Sequence, residues 1–487
     1  MPTSESAPPP SGPSDPIART SGSRLQAIAL PAGPIVALFA AFLMWQSGFE
    51  PAAAITLGVT TLCVIWWVFE PIPIPATSLL PLALLPLLGV ISSQQVAQAY
   101  GHPLILLLLG GFILSTALEK NGAHRRVALM MVKAFGGSSS RRLVYGFMAA
   151  AAVLSMWISN TATTLMLLPV ALAVLNDVED PKLATPLLLG IAYAANIGGI
   201  GTPIGTPPNV IFMGIYEETV GGSIGFATWM TWGVPVVLVF VPVAAFWLTR
   251  NLSHQGDVKL PSVGAWKTRE RRVLMVFAAT ALAWITRREP FGGWTEWLNL
   301  PYSNDAIVAF LAVIAMFLIP ADARADSAAR PRERLLDWDS ANRIPWGMLI
   351  LFGAGISIAE AFTSSGLSVT IGEALAGLAS LPLYLLIACI CLAVTFLTET
   401  TSNTATTTLL MPILAAAAIA AAIDPRLFMI PAAMSASCAF MLPVATAPNV
   451  TVFSSGHVPI NTMVREGLAL NLFGALIISA LCYLLLT

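Results

Sequence analysis

Two copies of one polar pentapeptide stand inside apolar sequence: Ser159-Asn160-Thr161-Ala162-Thr163 and Ser402-Asn403-Thr404-Ala405-Thr406, 243 positions apart. A second polar signal follows each, Gly205-Thr206-Pro207-Pro208-Asn209 and Ala445-Thr446-Ala447-Pro448-Asn449, 240 positions apart. Hydroxyls and amides of this kind carry no nucleophile and no base. They offer neutral donors, and with backbone C=O groups they offer hard oxygen acceptors that suit Na⁺ or Li⁺. Backbone N–H groups at a helix start favour anions, by about 0.3–1 kcal/mol at exposed sites and more when buried. The chemistry predicted is an anion held beside cations. No Lys or Arg lies in either pentapeptide or either Pro-containing segment, so a divalent anion would be compensated by bound Na⁺, which couples its uptake to the sodium gradient. Each net charge moved is worth about 2.3 kcal/mol per 100 mV, which favours more than two Na⁺ per dianion against an inside-negative potential.

The elements that position these residues follow from length. Each pentapeptide sits between apolar runs of roughly 15 residues, and about 20 helical residues are needed to cross a bilayer. The chain therefore dips in, turns at Ser-Asn-Thr and returns as a re-entrant hairpin, which survives at that depth only inside protein or along a watery cavity. One Ser-Asn-Thr alone reads as a helix cap. Two signals repeated at nearly one interval mark a duplication, and Gly/Pro-interrupted segments in matching halves point to a secondary transporter's binding site.

Composition agrees. The chain has 487 residues, 56% hydrophobic and 10% charged, against about 25% charged in soluble domains. The class is an all-α polytopic membrane protein; the apolar segments do not alternate as barrel strands do. The net charge of −1 selects no partner by itself, and no nucleic-acid partner is expected. The five cysteines, Cys63, Cys389, Cys391, Cys438 and Cys482, lie in apolar segments without metal-ligand spacing and read as small buried hydrophobes. There is no His-Glu-x-x-His, which argues against an intramembrane enzyme of the zinc-protease kind.

In chain order, residues 1–25 read as a disordered tail with no cleavable signal. Spans are expected near 26–47, 52–70, 75–92 and 101–119, then a basic stretch in which His124–Lys133 lies flat as an interfacial helix. The first hairpin is expected over 143–176, a broken span over 186–217 and a span at 227–249. After a basic linker come spans near 273–287, 304–320 and 344–363, the second hairpin over 381–421, a broken span over 427–457 and a last span over 464–487. With the N-terminus in the cytoplasm and about 11 crossings, 21 of the 24 Lys and Arg fall on the cytoplasmic side, as the positive-inside rule requires. The two hairpins then enter from opposite faces, so the halves form an inverted repeat whose polar turns meet near the midplane.

Two SNTAT motifs, one GTPPN and a C-terminal MLPVATAPN in this order resemble the divalent-anion:sodium symporter family, the INDY-type dicarboxylate and citrate transporters. The resemblance covers nearly the whole chain after residue 25. It implies a homodimeric elevator in an inner, plasma membrane of bacterial type, moving a dicarboxylate, citrate or, in some branches, sulfate, with Na⁺ as co-transported ion and no organic cofactor. The scaffold would take 26–142 and 273–380, the transport domain 143–250 and 381–487, with 251–272 a cytoplasmic linker. Residue by residue, the first Na⁺ would sit with Ser155, Ser159, Asn160 and Gly205, and the second with Thr398, Thr401, Asn403 and Ala445. The carboxylates would meet Asn160, Thr161, Asn403, Thr404 and Thr446, beside Thr206 and Ala447. Ala447 departs from the family's usual Pro; it restores a backbone N–H at the anion site.

Other polar residues read differently. Thr163, Thr164, Thr406, Thr407 and Thr408 fit close helix packing. Glu399, the one acid inside a hairpin, is a candidate proton carrier by default, while the resemblance implies a structural role near a sodium site. His102 reads as a capped or solvated histidine. A sodium-independent exchanger or a sulfate transporter on the same fold is the alternative function; a passive channel fits the paired hairpins poorly.

Overall fold

The computed structural model describes residues 16–135, 139–177, 182–252, 264–288, 292–322, 333–375 and 382–487. Among them the chain is helical, apart from one isolated bridge between Pro320 and Arg334. Seven helices are long and apolar enough to cross a membrane: Arg24–Gln46, Pro51–Phe69, Ser93–Lys120, Phe226–Thr249, Trp346–Ser364, Asn403–Ala420 and Ile460–Leu486. Other apolar segments are shorter, including Asp305–Leu318 and the pieces around each polar motif.

Three expectations change. The first helix begins at Pro16, inside the segment expected to be a disordered tail; Pro suits a helix start because its missing N–H has no partner there anyway. Residues 1–15 lie outside the described residues. The expected span at 75–92 is instead two short helices, Ile74–Thr77 and Leu80–Leu87, since Pro75, Pro81 and Pro86 remove backbone donors. The linker expected over 251–272 is already helical from Thr268, where Glu270 accepts from the Lys267 backbone N–H at 2.8 Å; residues 253–263 lie outside the described residues.

Each polar motif sits at a helix boundary. The first pentapeptide joins Ser140–Ser155 to Asn160–Asp177, and the second joins Leu383–Thr398 to Asn403–Ala420. The first broken segment is Ala184–Gly199 followed by Pro207–Val220; the second is Arg426–Ser435, a short 3₁₀ turn Pro443–Ala445, and Ala447–Phe453. Ala184–Gly199 is buried without interruption from Leu187 to Gly199 and forms the axis of the larger core. A smaller core joins Cys63, Trp67, Leu85, Val96, Ala354 and Phe362. The amphipathic helix Ala123–Phe135 is tied down by Arg126, whose Nε donates to Glu270 at 2.6 Å and whose guanidinium stacks 4.8 Å from the Trp266 ring.

Candidate ligand-binding cavity

Both pentapeptides open onto one cavity of about 960 Å³. Ser159, Asn160 and Thr161 line it from one side, Thr401, Asn403 and Thr404 from another, and Gly205, Thr206, Ala445, Thr446 and Ala447 complete the polar wall. Ser155 and Thr398 stand one layer behind, fully buried. All thirteen site residues expected from the sequence thus fall on or directly behind one surface. Among the described residues, Arg343 is the one basic side chain on the wall; it is exposed, as is Glu70, and the wall also carries Glu119. Next to Glu119 in the chain, the Lys120 ammonium contacts Asp337, in the loop after residue 320, and holds its carboxyl down at about 2.

The two halves build their tips alike. Ser155 Oγ donates to Asn160 Oδ1 at 2.5 Å, and Thr398 Oγ1 donates to Asn403 Oδ1 at 2.7 Å. Thr164 Oγ1 donates to the Asn160 carbonyl at 2.9 Å, and Thr407 Oγ1 to the Asn403 carbonyl at 2.8 Å. Thr164 and Thr407 therefore spend their hydroxyls on their own helix. Each Asn carbonyl oxygen is held in place toward its neighbouring hydroxyl, an arrangement of hard oxygens that can take a small cation.

The breaks are built alike as well. Asn209 Nδ2 donates to the carbonyls of Gly199 at 2.9 Å and Thr202 at 2.7 Å; Asn449 Nδ2 donates to those of Ala439 at 2.9 Å and Leu442 at 3.0 Å. Each Asn thus stitches across its break, reaching the same two upstream positions and satisfying C=O groups freed where the helix stops. Glycine permits the tighter first break. A Cβ on Gly205 would stand 2.4 Å from the Gly199 carbonyl oxygen, and one on Gly199 would stand 2.8 Å from Asn160 Oδ1.

Glu399 marks where the halves differ. Its Oε1 accepts from the backbone N–H of Phe440 at 2.7 Å, from Met441 at 2.8 Å and from Asn471 Nδ2 at 2.7 Å; its Oε2 accepts from Leu442 at 3.0 Å. In the first half the matching N–H groups of Ile200 and Gly201 bond to Ile197 and Gly198 carbonyls instead, and Met156 fills the place of the acid. Four donors converge on this carboxylate and tie it to the loop 440–442, a structural role. His102 is a cap: its Nδ1 accepts from the Leu104 N–H at 3.3 Å.

Asn196 belongs to the site and carries no motif. It is 1% exposed, lines the cavity, accepts from Asn160 Nδ2 at 3.4 Å and donates to Thr446 Oγ1 at 3.1 Å. A lone amide in the apolar run Ile191–Ile197 was the available signal.

Comparison with known proteins places the chain. The family model described as "Citrate transporter" matches residues 64–428. A sodium-dependent dicarboxylate transporter of Staphylococcus saprophyticus is 37% identical, the match covering 94% of this chain and 91% of that protein. Its counterpart in Staphylococcus aureus is 38% identical over the same shares. Among solved structures, the YdaH transporter of Alcanivorax borkumensis aligns with a TM-score of 0.54 at 15% identity, over 81% of this chain and 87% of that one, and is similar in fold.

Proposed function

This chain is a member of the divalent-anion:sodium symporter family, and from that premise we propose that it carries a divalent organic anion across the membrane together with Na⁺. The substrate class is a C4 dicarboxylate such as succinate, malate or fumarate, or citrate. The chain acts as a transporter and not as an enzyme. One observation carries the reading: both Ser-Asn-Thr tips line a single cavity whose polar wall holds no Lys or Arg apart from the exposed Arg343.

Within that wall, one Na⁺ is assigned to Ser155, Ser159, Asn160 and Gly205, and a second to Thr398, Thr401, Asn403 and Ala445. The matched Ser155–Asn160 and Thr398–Asn403 pairs support two sites of one design. The carboxylates are assigned to the Asn160, Thr161, Asn403, Thr404 and Thr446 side chains, beside Thr206 and Ala447. Thr446 supports an anion directly: its Oγ1 already accepts from Asn196 Nδ2 and the Asn449 N–H, so its proton is left for a ligand oxygen. Helices starting at Asn160, Pro207 and Asn403 add their N-terminal dipoles.

The movement proposed is an elevator in which hairpins and broken helices travel against a scaffold that forms a homodimer in the bacterial inner membrane. With the N-terminus in the cytoplasm, Glu70, Glu119 and Arg343 lie at cytoplasmic ends, so the cavity is inward-facing. The test is uptake of labelled succinate, citrate and sulfate into proteoliposomes, each with and without a Na⁺ gradient. Concentrative succinate or citrate uptake that needs Na⁺ is expected. Counterflow of succinate at full rate without Na⁺ would overturn symport in favour of exchange, and sulfate uptake alone would overturn the substrate class.

A further inference from the structure

We propose that Asn196 is the positioning residue that couples the first cation site to the anion site, by a side-chain relay that crosses from one half of the chain to the other. The inference rests on the functional reading above.

The relay runs from Ser155 Oγ to Asn160 Oδ1 at 2.5 Å, from Asn160 Nδ2 to Asn196 Oδ1 at 3.4 Å, and from Asn196 Nδ2 to Thr446 Oγ1 at 3.1 Å. Its two ends lie in different halves, and Asn196 is nearly sealed from solvent. The counterpart of Asn196 in the second half, 240 positions on, is Ala436. Ala436 offers only its carbonyl, which accepts from Thr398 Oγ1 at 3.0 Å. That bond stays inside the second half. Coupling is therefore built from the first site toward Thr446, and the reverse direction has no matching side chain.

The direction of each bond gives the relay its sign. A cation beside Asn160 Oδ1 draws electron density from that amide and strengthens its N–H₂ as a donor. Asn196 Oδ1 is held more firmly, and its own N–H₂ donates more strongly to Thr446. Chains of hydrogen bonds polarise one another in this way. Thr446 Oγ1 accepts from Asn196 and from the Asn449 N–H, so its hydroxyl proton points to a ligand. Sodium at one end thus prepares a donor for a carboxylate at the other.

The experiment is a double-mutant cycle in proteoliposomes, with succinate and Na⁺ concentrations varied independently. Asn196→Ala removes both of its links, to Asn160 and to Thr446, and Thr446→Val removes the hydroxyl at the end of the relay; each is expected to raise the KM for succinate about ten-fold. Because both act through one bond, the double variant should be no more than about two-fold worse than either single one. Asn196→Ala should also flatten the steepness of sodium activation while saturating succinate restores most of kcat. Thermal unfolding in detergent tells a lost fold from a lost link. Should Asn196→Ala fail to fold, Asn196→Ser supplies a shorter hydroxyl and is expected to show the same split in milder form. Losses in KM that multiply toward a hundred-fold, or an unchanged sodium dependence, would overturn the relay while leaving symport intact. A parent protein without sodium-driven uptake would overturn the functional reading and the relay together.

Discussion

Asn160 and Asn403 are the two side chains on which each half spends its first hydrogen bond, and both face the cavity. Under the assignment proposed above, replacing either by Ala removes an oxygen for the cation and an N–H₂ for the anion. At about 1.5–3 kcal/mol per charged contact, uptake should fall roughly ten- to hundred-fold while the protein still inserts and unfolds cooperatively. Uptake near the parent level in either variant would count heavily against the assignment. Ala447 is exposed to the cavity at the start of Ala447–Phe453, where the first half has Pro207. Ala447→Pro deletes one N–H from the wall, and the ratio of succinate to citrate uptake should shift; an unchanged ratio shows that this position selects nothing. Glu399→Gln sets an amide N–H₂ against N–H groups that need an acceptor, and should lower stability by about 1–3 kcal/mol in thermal unfolding. If the variant unfolds like its parent but loses only the pH dependence of uptake, the acid carries protons instead. At this scale the sequence announced the residues that recur as motifs. It was silent on Asn196, whose partners lie 36 and 250 positions away and are brought together only by packing.

Elements were legible where their boundaries are chemical. Ser-Asn-Thr inside an apolar run, and Pro-Asn shortly after Thr, marked both tips and both breaks because caps and missing donors act locally. The segment near 75–92 misled because hydropathy reads composition and three prolines read geometry. What composition could not supply was the fit between elements. Gly199 lets Asn160 approach the first break, so Gly199→Ala should displace Asn160 Oδ1, raise the sodium concentration needed for half-maximal uptake and spare the second site. Another contact joins Pro207–Val220 to Trp346–Ser364. Past the apolar stretch, Glu218 shares a hydrogen bond with Glu360, which pushes the Glu218 carboxyl up to about 7. Gln95 Nε2 and Ser364 Oγ donate to Glu360 Oε1 at 2.7 and 3.0 Å, so Glu360 already acts as an acceptor and the shared proton is supplied by Glu218. A carboxyl raised in the folded state stabilises fully below its ordinary value near 4.5 and loses that contribution as pH rises through about 7. Parent protein should therefore lose melting temperature between pH 5 and 8 relative to Glu218→Gln, which holds its bond at every pH; parallel curves would show the pair to be idle.

For the whole molecule, the charged residues of the cavity wall are Glu70, Glu119 and Arg343. Val444 is 78% exposed within it. With the exposed Cys389 replaced by Ser, Val444→Cys should react with an impermeant thiol reagent from the cytoplasmic face, and Na⁺ with succinate should slow that reaction at least several-fold. Labelling from the opposite face alone would reverse the orientation proposed. The amides that stitch the breaks also constrain how such a molecule can move. Asn209 and Asn449 fasten each half-helix to the turn that precedes it. An interrupted helix is commonly taken for a joint; these two are shelves. Bending must then be taken up where helices meet their connectors, and in the elevator proposed above the ligand's seat would cross the bilayer as a finished object.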